Sequence, residues 1–200
     1  MFNYKFTYIF FILIILIIIE LNTNFILINN IPNSILNKLG VLYISTHNYE
    51  HKDIIVTFNY FKKINKKFIM LFADKTWNYM LEPLRPNNIE FLYVTNNTVE
   101  KISNKLLLGQ NIIMFLYKES NSSGPYYILK NTKCPLVFIK IKNKNNPNLT
   151  LTHYNNNIKD IFIKNFLCTH YLEFKKINYQ LSKYTNMSLF LKQLKKKLYL

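Results

Sequence analysis

The chain has 200 residues, half of them apolar, and a formal net charge of +16. This apolar content excludes a generally disordered chain, and the length predicts one domain with its own hydrophobic core. Only Arg85 among the 26 basic residues is an arginine. That argues against a nucleic-acid reader, because bidentate contacts to bases and phosphates need the planar guanidinium group. The lysines favour an anionic membrane surface, so we expect membrane lipids, and no nucleic acid, as partners.

The first element is an uncharged apolar run at residues 6–19, between Lys5 and Glu20. As a helix it would be about 21 Å long, shorter than the ~30 Å hydrocarbon core, whereas a helix over residues 2–21 would nearly span it. A single-pass or monotopic anchor in an endomembrane is the favoured interpretation. A cleaved signal peptide, for which no small-residue cleavage site follows, and a buried core helix are the alternatives. The chain is therefore divided into N-terminal hydrophobic helices over residues 1–39 and a domain over residues 40–200.

From residue 40 to residue 142, short apolar runs alternate with amphipathic patterns. This alternation is typical of an α/β fold with a mixed, largely parallel sheet flanked by helices. The runs predict strands at residues 41–45, 67–73, 90–95, 111–117 and 135–141, and the patterns predict helices at residues 53–63, 76–84 and 98–108. Residues 150–200 are mostly helical in pattern. Their last part is either an ordinary solvated helix or a basic amphipathic helix on a membrane, with one apolar face formed by Leu189, Phe190, Leu194 and Leu198.

Candidate catalytic residues follow the first of these strands. His47 comes directly after an apolar run, and Asp53 lies at the predicted start of a helix. A strand that delivers a histidine to a loop, with a carboxylate close behind, can present a general base and the group that orients it. A loop that serves only solubility is the alternative. His51 is a second candidate base, although its distance of two positions from Asp53 is awkward on a helix.

The two cysteines carry no comparable signal. Cys134 and Cys168 lie 34 residues apart without the close spacing of metal ligands. Two thiols in a chain with its own apolar core predict no disulfide framework, and no metal site is expected.

The order of these segments resembles the glycerolipid acyltransferases of the PlsC type, the lysophosphatidic acid acyltransferase-like enzymes. Residues 46–53 (Thr-His-Asn-Tyr-Glu-His-Lys-Asp) resemble the His-x4-Asp motif, with one residue more between His and Asp. Residues 72–77 resemble the segment in which a Lys precedes a short apolar helix, and residues 91–97 the strand that ends in a phosphate-binding Arg. Residues 106–124 resemble the strand and Phe-Pro-Glu-Gly-Thr-Arg-Ser turn, either with Glu119 and Ser123 matched or with only Phe115 matched. Residues 130–141 resemble the Pro-led strand that follows.

The resemblance implies a membrane-associated acyltransferase of lipid metabolism. Such an enzyme moves a fatty acyl group from a thioester of CoA or acyl carrier protein to the hydroxyl of a lysophospholipid or glycerol-phosphate acceptor. The thioester is a co-substrate, and no cofactor is bound. A catalytically degenerate protein of the same fold that binds lipid or a partner stays open, because Asn96 and Ser122 or a neighbouring residue stand where the family has arginines. The implied site has His47 as general base, Asp53 as its orienting carboxylate, and an acceptor site lined by Lys75, Asn96, Lys118, Glu119 and Ser123.

Overall fold

The structure is a computed structural model that describes residues 25–29, 39–47, 51–73, 81–118, 122–143, 170–184 and 186–199. In this part of the chain, seven strands form one sheet. The strands are β1 Phe25–Leu27, β2 Leu42–Thr46, β3 Phe68–Phe72, β4 Ile89–Tyr93, β5 Asn111–Leu116, β6 Leu136–Asn143 and β7 His170–Ile177. The helices are α1 His51–Lys62, α2 Thr98–Leu107, α3 Gly124–Thr132 and α4 Met187–Tyr199, with short 3-10 helices at Glu82–Leu84 and Leu181–Lys183.

The strand order across the sheet is β1-β7-β6-β2-β5-β3-β4. The five strands from β6 to β4 run parallel, β7 is antiparallel to β6, and β1 is parallel to β7. The expected α/β fold with a largely parallel sheet flanked by helices is therefore confirmed. The sheet includes Phe25–Leu27, which lies before the domain boundary at residue 40 expected from the sequence.

Different helices cover the two faces of the sheet. α1 packs through Phe58 and Phe61 on the face that carries Tyr43, which we call the α1 face. α2, α3 and α4 pack on the opposite face, the three-helix face, which carries Leu42 and Ile44. β2 and β3 are buried at all five positions, as expected for parallel strands that are covered on both sides.

A close approach of two backbone segments sets the start of β2. A Cβ atom at Gly40 would lie 1.9 Å from the carbonyl oxygen of Gln110, so only glycine fits there. The Gly40 amide donates a 2.7 Å hydrogen bond to the carbonyl of Leu106 in α2. The chain thus enters β2 directly against the α2–β5 connection.

The C-terminal part differs from its mostly helical prediction. His170–Ile177 is the strand β7, and its first residues alternate between buried and partly exposed, the period of two that favours a strand. The sequence analysis also predicted no helix at α3, which has nine residues and begins at Gly124.

The apolar side of α4 packs on the protein. Phe190, Leu191, Leu194 and Leu198 are buried, whereas Leu189, expected on the same face, is 40% exposed. The buried side belongs to the core of the three-helix face. In this structure the apolar side of α4 is therefore covered by the protein itself.

Several expectations lie outside the described residues. These are the anchor at residues 6–19, most of the helix at residues 76–84, and Cys168. Within the described ranges, no helix is both long and apolar enough to cross a membrane. Cys134 is described: its thiol is free and buried, and burial raises its pKa.

Candidate functional site

The carboxyl ends of β2 and β5 form the part of the sheet where a ligand site is expected. The chain leaves β2 through α1 on one face toward β3, and leaves β5 through α3 on the other face toward β6. β2 and β5 are neighbours, so their connections depart in opposite directions from adjacent strand ends. Open α/β sheets bind their ligands at such a switch point.

His47 and Asp53 come together at this edge. His47 directly follows β2, and Asp53 lies in the first turn of α1, where the partial positive charge of the helix start favours a carboxylate. The His47 Nδ1 and Asp53 Oδ2 atoms are 4.0 Å apart. This separation suits an ion pair and exceeds the roughly 3.2 Å limit of a good N–H···O hydrogen bond. Asp53 is fully buried, and 6% of the His47 side chain is exposed.

Tyr117 covers the imidazole from the neighbouring strand. Thr46 and Leu116 are register partners at the ends of β2 and β5. The residues that follow them, His47 and Tyr117, therefore lie side by side. Their rings stack with centroids 3.9 Å apart and planes at 29°. Tyr117 is 50% exposed, and the Phe115 ring centroid lies 5.8 Å from that of His47. The imidazole is therefore packed under an aromatic ring that solvent reaches.

Tyr199, in the last turn of α4, joins the ends of the two strands. Its Oη atom accepts a 3.3 Å hydrogen bond from the backbone N–H of His47 and donates a hydrogen bond to the carbonyl oxygen of Leu116. Burial raises the pKa of Tyr199, and nearby Asp53 and Tyr117 add to the rise, against the opposing effect of the His47 amide. The phenol therefore stays protonated and can donate and accept at once.

Three of the other residues implied by the resemblance are described, and they follow strand ends at the same edge. Lys118 follows Tyr117 and is exposed, and Ser123 immediately precedes α3. Asn96 is exposed in the turn after β4, and β3 separates β4 from β5 in the sheet. Lys75, Glu119 and the side chain of His51 lie outside the described residues.

Sequence reasoning missed Tyr117 and Tyr199. Tyr117 could have been found from its position, since it ends the predicted strand that neighbours β2. No local pattern points to Tyr199, which is 152 residues from the His47 amide that it contacts. Only the packing of α4 on the sheet brings it there.

No metal site adds to this arrangement within the described residues, where no three His, Cys, Asp or Glu side chains form a cluster that could hold an ion. What the edge offers is an imidazole beside a buried carboxylate, a combination suited to proton transfer. Compared with known proteins, the chain matches no protein-family model and no curated protein sequence.

Proposed function

We propose that this protein is a membrane-associated O-acyltransferase that uses His47 as its general base. The observation that carries the proposal is the 4.0 Å approach of the His47 imidazole to the buried carboxylate of Asp53, at the switch point between β2 and β5. The resemblance of residues 40–142 to the glycerolipid acyltransferases supports the substrate class, a lysophospholipid or glycerol-phosphate acceptor and an acyl thioester.

The reaction needs one group that takes a proton and returns it. The Nε2 atom of His47 accepts the proton of the acceptor hydroxyl while the hydroxyl oxygen attacks the thioester carbonyl. The intermediate then expels the thiolate, the C–S bond breaks, and the imidazolium returns its proton to the sulfur. An ester and a free thiol are formed without a covalent enzyme intermediate.

Asp53 serves this cycle by facing Nδ1. A carboxylate on that side favours the tautomer with the proton on Nδ1 and stabilises the imidazolium that forms during the reaction. The contact is longer than a hydrogen bond, and contacts of this kind in catalytic sites often tighten only when substrate binds. Lys118 and Lys75 are the cations available in the chain segments after β5 and β3 for an anionic acceptor.

A non-catalytic lipid-binding protein of the same fold is the second candidate. The observation that favours it is the cover over His47, since Tyr117 stacks on the ring and 6% of the side chain is exposed. In that case Tyr117 and His47 form a permanently packed pair, and a lipid binds beside them without reacting.

The test is an acyl-transfer assay on the full chain in a membrane fraction, with acyl-CoA and a panel of lysophospholipids. We expect His47→Gln to lower the rate by about 10²- to 10⁴-fold, the usual contribution of a general base, and Asp53→Asn to lower it less. The matched control is Thr57→Val, one turn further along α1 and equally buried, which should keep the parent rate. Absence of ester from the parent chain, or a parent-like rate in His47→Gln, contradicts the proposal.

A further inference from the structure

Exposed lysines are concentrated on the three-helix face. α3 and α4 contain no acidic residue. Lys192 and Lys196 lie one turn apart on the exposed side of α4, Lys197 is exposed next to them, and Lys130 is exposed on α3. The outer surface of these two helices is therefore positive.

The strands beside α4 extend this positive area. Side chains alternate along β6, so Lys142 points to the same face as Phe138, which packs beneath the three helices. Lys175 on β7 is the register partner of Phe138 and shares that face. The single acid in β7, Glu173, binds Lys142 at 3.3 Å. In the described part of the chain, no ion pair offsets Lys130, Lys175 or the exposed lysines of α4.

Lys140 lies on β6 between the lysines of this area. Its pKa is lowered, chiefly by burial; Glu173 opposes this shift, and Lys175 and Lys142 add to it. Lysines near the end of α4 also compensate the helix dipole. That role accounts for Lys196 and Lys197 and, at the end of α3, for Lys130. It does not account for Lys142 and Lys175, which lie on strands.

Two exposed apolar side chains belong to the same two helices. Tyr127 on α3 is 42% exposed and Leu189 on α4 is 40% exposed. Basic residues combined with an aromatic and an aliphatic side chain are typical of surfaces that contact the head groups of a bilayer. A reader of nucleic acid would be expected to use arginine, and none is present on these elements.

We propose that Lys130, Lys175, Lys192, Lys196 and Lys197, together called the basic face, dock on the surface of an anionic phospholipid bilayer. α4 links this surface to the strand ends, because Tyr199 in its last turn contacts His47. Docking brings the carboxyl ends of β2 and β5 close to the head groups. The inference does not require His47 to act as a base, since it concerns only where the protein binds.

The test uses vesicles of phosphatidylcholine with 30% phosphatidylglycerol, and of phosphatidylcholine alone, with the full chain. The measured quantity is the affinity for the vesicles with phosphatidylglycerol divided by the affinity for those without it. Insertion of apolar side chains contributes to both affinities, so the ratio reports the electrostatic contribution. A lysine near an anionic surface is worth about 1 kcal/mol, or about fivefold in affinity. We expect Lys192→Gln/Lys196→Gln to lower the ratio about 25-fold.

The matched control is Lys66→Gln/Lys67→Gln, which removes the same charge from two exposed lysines between α1 and β3. It should change the ratio less than fivefold. Equal losses in both variants would mean that net charge alone acts, and a parent ratio near one would mean that no anionic docking occurs. Either outcome overturns the proposal. It is also overturned if the parent binds single-stranded RNA more tightly than the anionic vesicles and Lys192→Gln/Lys196→Gln abolishes that RNA binding.

An activity measurement separates this inference from the proposed function. With a lysophospholipid dispersed in neutral detergent micelles, the α4 variant should retain the parent rate, whereas on anionic vesicles it should be slower. If the parent makes no ester on either substrate form, the proposed function fails while the vesicle affinities still decide the docking surface.

Discussion

His47 is tied to Tyr199 by a hydrogen bond from its own backbone N–H, so the residue that we assign as base is fixed by the last turn of α4. The same phenol donates to the carbonyl of Leu116 on the neighbouring strand. The ends of two neighbouring strands, whose connections depart to opposite faces, are therefore joined by one side chain. The position of the imidazole depends on α4 as well as on β2.

The first prediction concerns this bridge. Tyr199→Phe removes two hydrogen bonds to the backbone, each worth about 0.5–1.5 kcal/mol, so it should lower the free energy of unfolding by about 1–3 kcal/mol. In protein labelled with 15N-histidine, which gives one amide signal for each of the four histidines, the His47 signal should shift. Acyl transfer should slow through kcat rather than KM, because the base and not the acceptor is displaced.

Tyr179→Phe is the matched control for this change. Tyr179 donates a 2.7 Å hydrogen bond to the carbonyl of Cys134, which lies just before β6. This variant should lose similar stability and leave the His47 signal in place. A shift of the His47 signal in both variants, or in neither, would contradict a specific role of Tyr199.

The second prediction concerns Gly40. Gly40→Ala places a Cβ atom against the Gln110 carbonyl at a distance that no packed pair of atoms adopts, so we expect a loss of about 3 kcal/mol in chemical denaturation. Gly124→Ala provides the comparison, because its Cβ atom would lie 3.4 Å from the Ser122 Oγ atom, an ordinary contact. It should cost much less stability than Gly40→Ala, because the nearest atom beyond its chain neighbours is a side-chain oxygen. No gain is expected, since a Cβ atom before Pro125 disfavours the helical conformation.

The third prediction concerns the end of α3. Lys133 follows this helix with φ at 52°, a left-handed conformation in which a side chain costs about 1–2 kcal/mol. Lys133→Gly relieves this strain and should raise the free energy of unfolding by about 1 kcal/mol. Lys133→Ala removes the charge but keeps the strain, so it should stay near the parent. Equal gains in the two variants would assign the effect to charge.

The fourth prediction is a pH dependence that originates at Lys140. Its pKa is lowered in the folded protein, mainly by burial, so the unfolded chain binds more protons between that lowered pKa and the ordinary value of 10.5. This residue therefore adds stability as the pH rises through the window and costs stability below it. Lys140→Met should raise the melting temperature at pH 7, and the gain over the parent should shrink toward pH 10. A gain that does not change with pH would refute this origin.

The fold was predictable where short-range patterns and burial agree. The buried five-residue runs of β2 and β3 and the amphipathic pattern of α2 predict these elements within one or two residues. β7 was missed because lysines occupy two of its eight positions and break the alternation that its first five residues show. α3 was missed because its Gly-Pro start resembles a loop, although proline is favourable at the beginning of a helix.

Only the residues of the candidate site that are close in sequence, His47 and Asp53, were predictable. His47 and Asp53 are close along the chain, so a strand followed by a helix already places them at one edge. Tyr117 and Tyr199 enter through strand register and helix packing, which depend on residues 70 and 152 positions away. A single sequence contains no local signal for such distances.

The strand order has a consequence for the order in which the sheet can be completed during synthesis. β1 is made first but pairs with β7, from Phe25 with His170 onward, and β2 and β3 stay apart until β5 fills the place between them. Domains form from the N-terminus as the chain emerges, so β1 waits for a partner while most of the chain is made. A chain interrupted before β7 leaves the edge of β6 and the strand β1 open to pairing with other molecules. When β7 is made, it covers the aggregation-prone edge of β6. When α4 follows, Tyr199 forms its hydrogen bonds to His47 and Leu116 and completes the site.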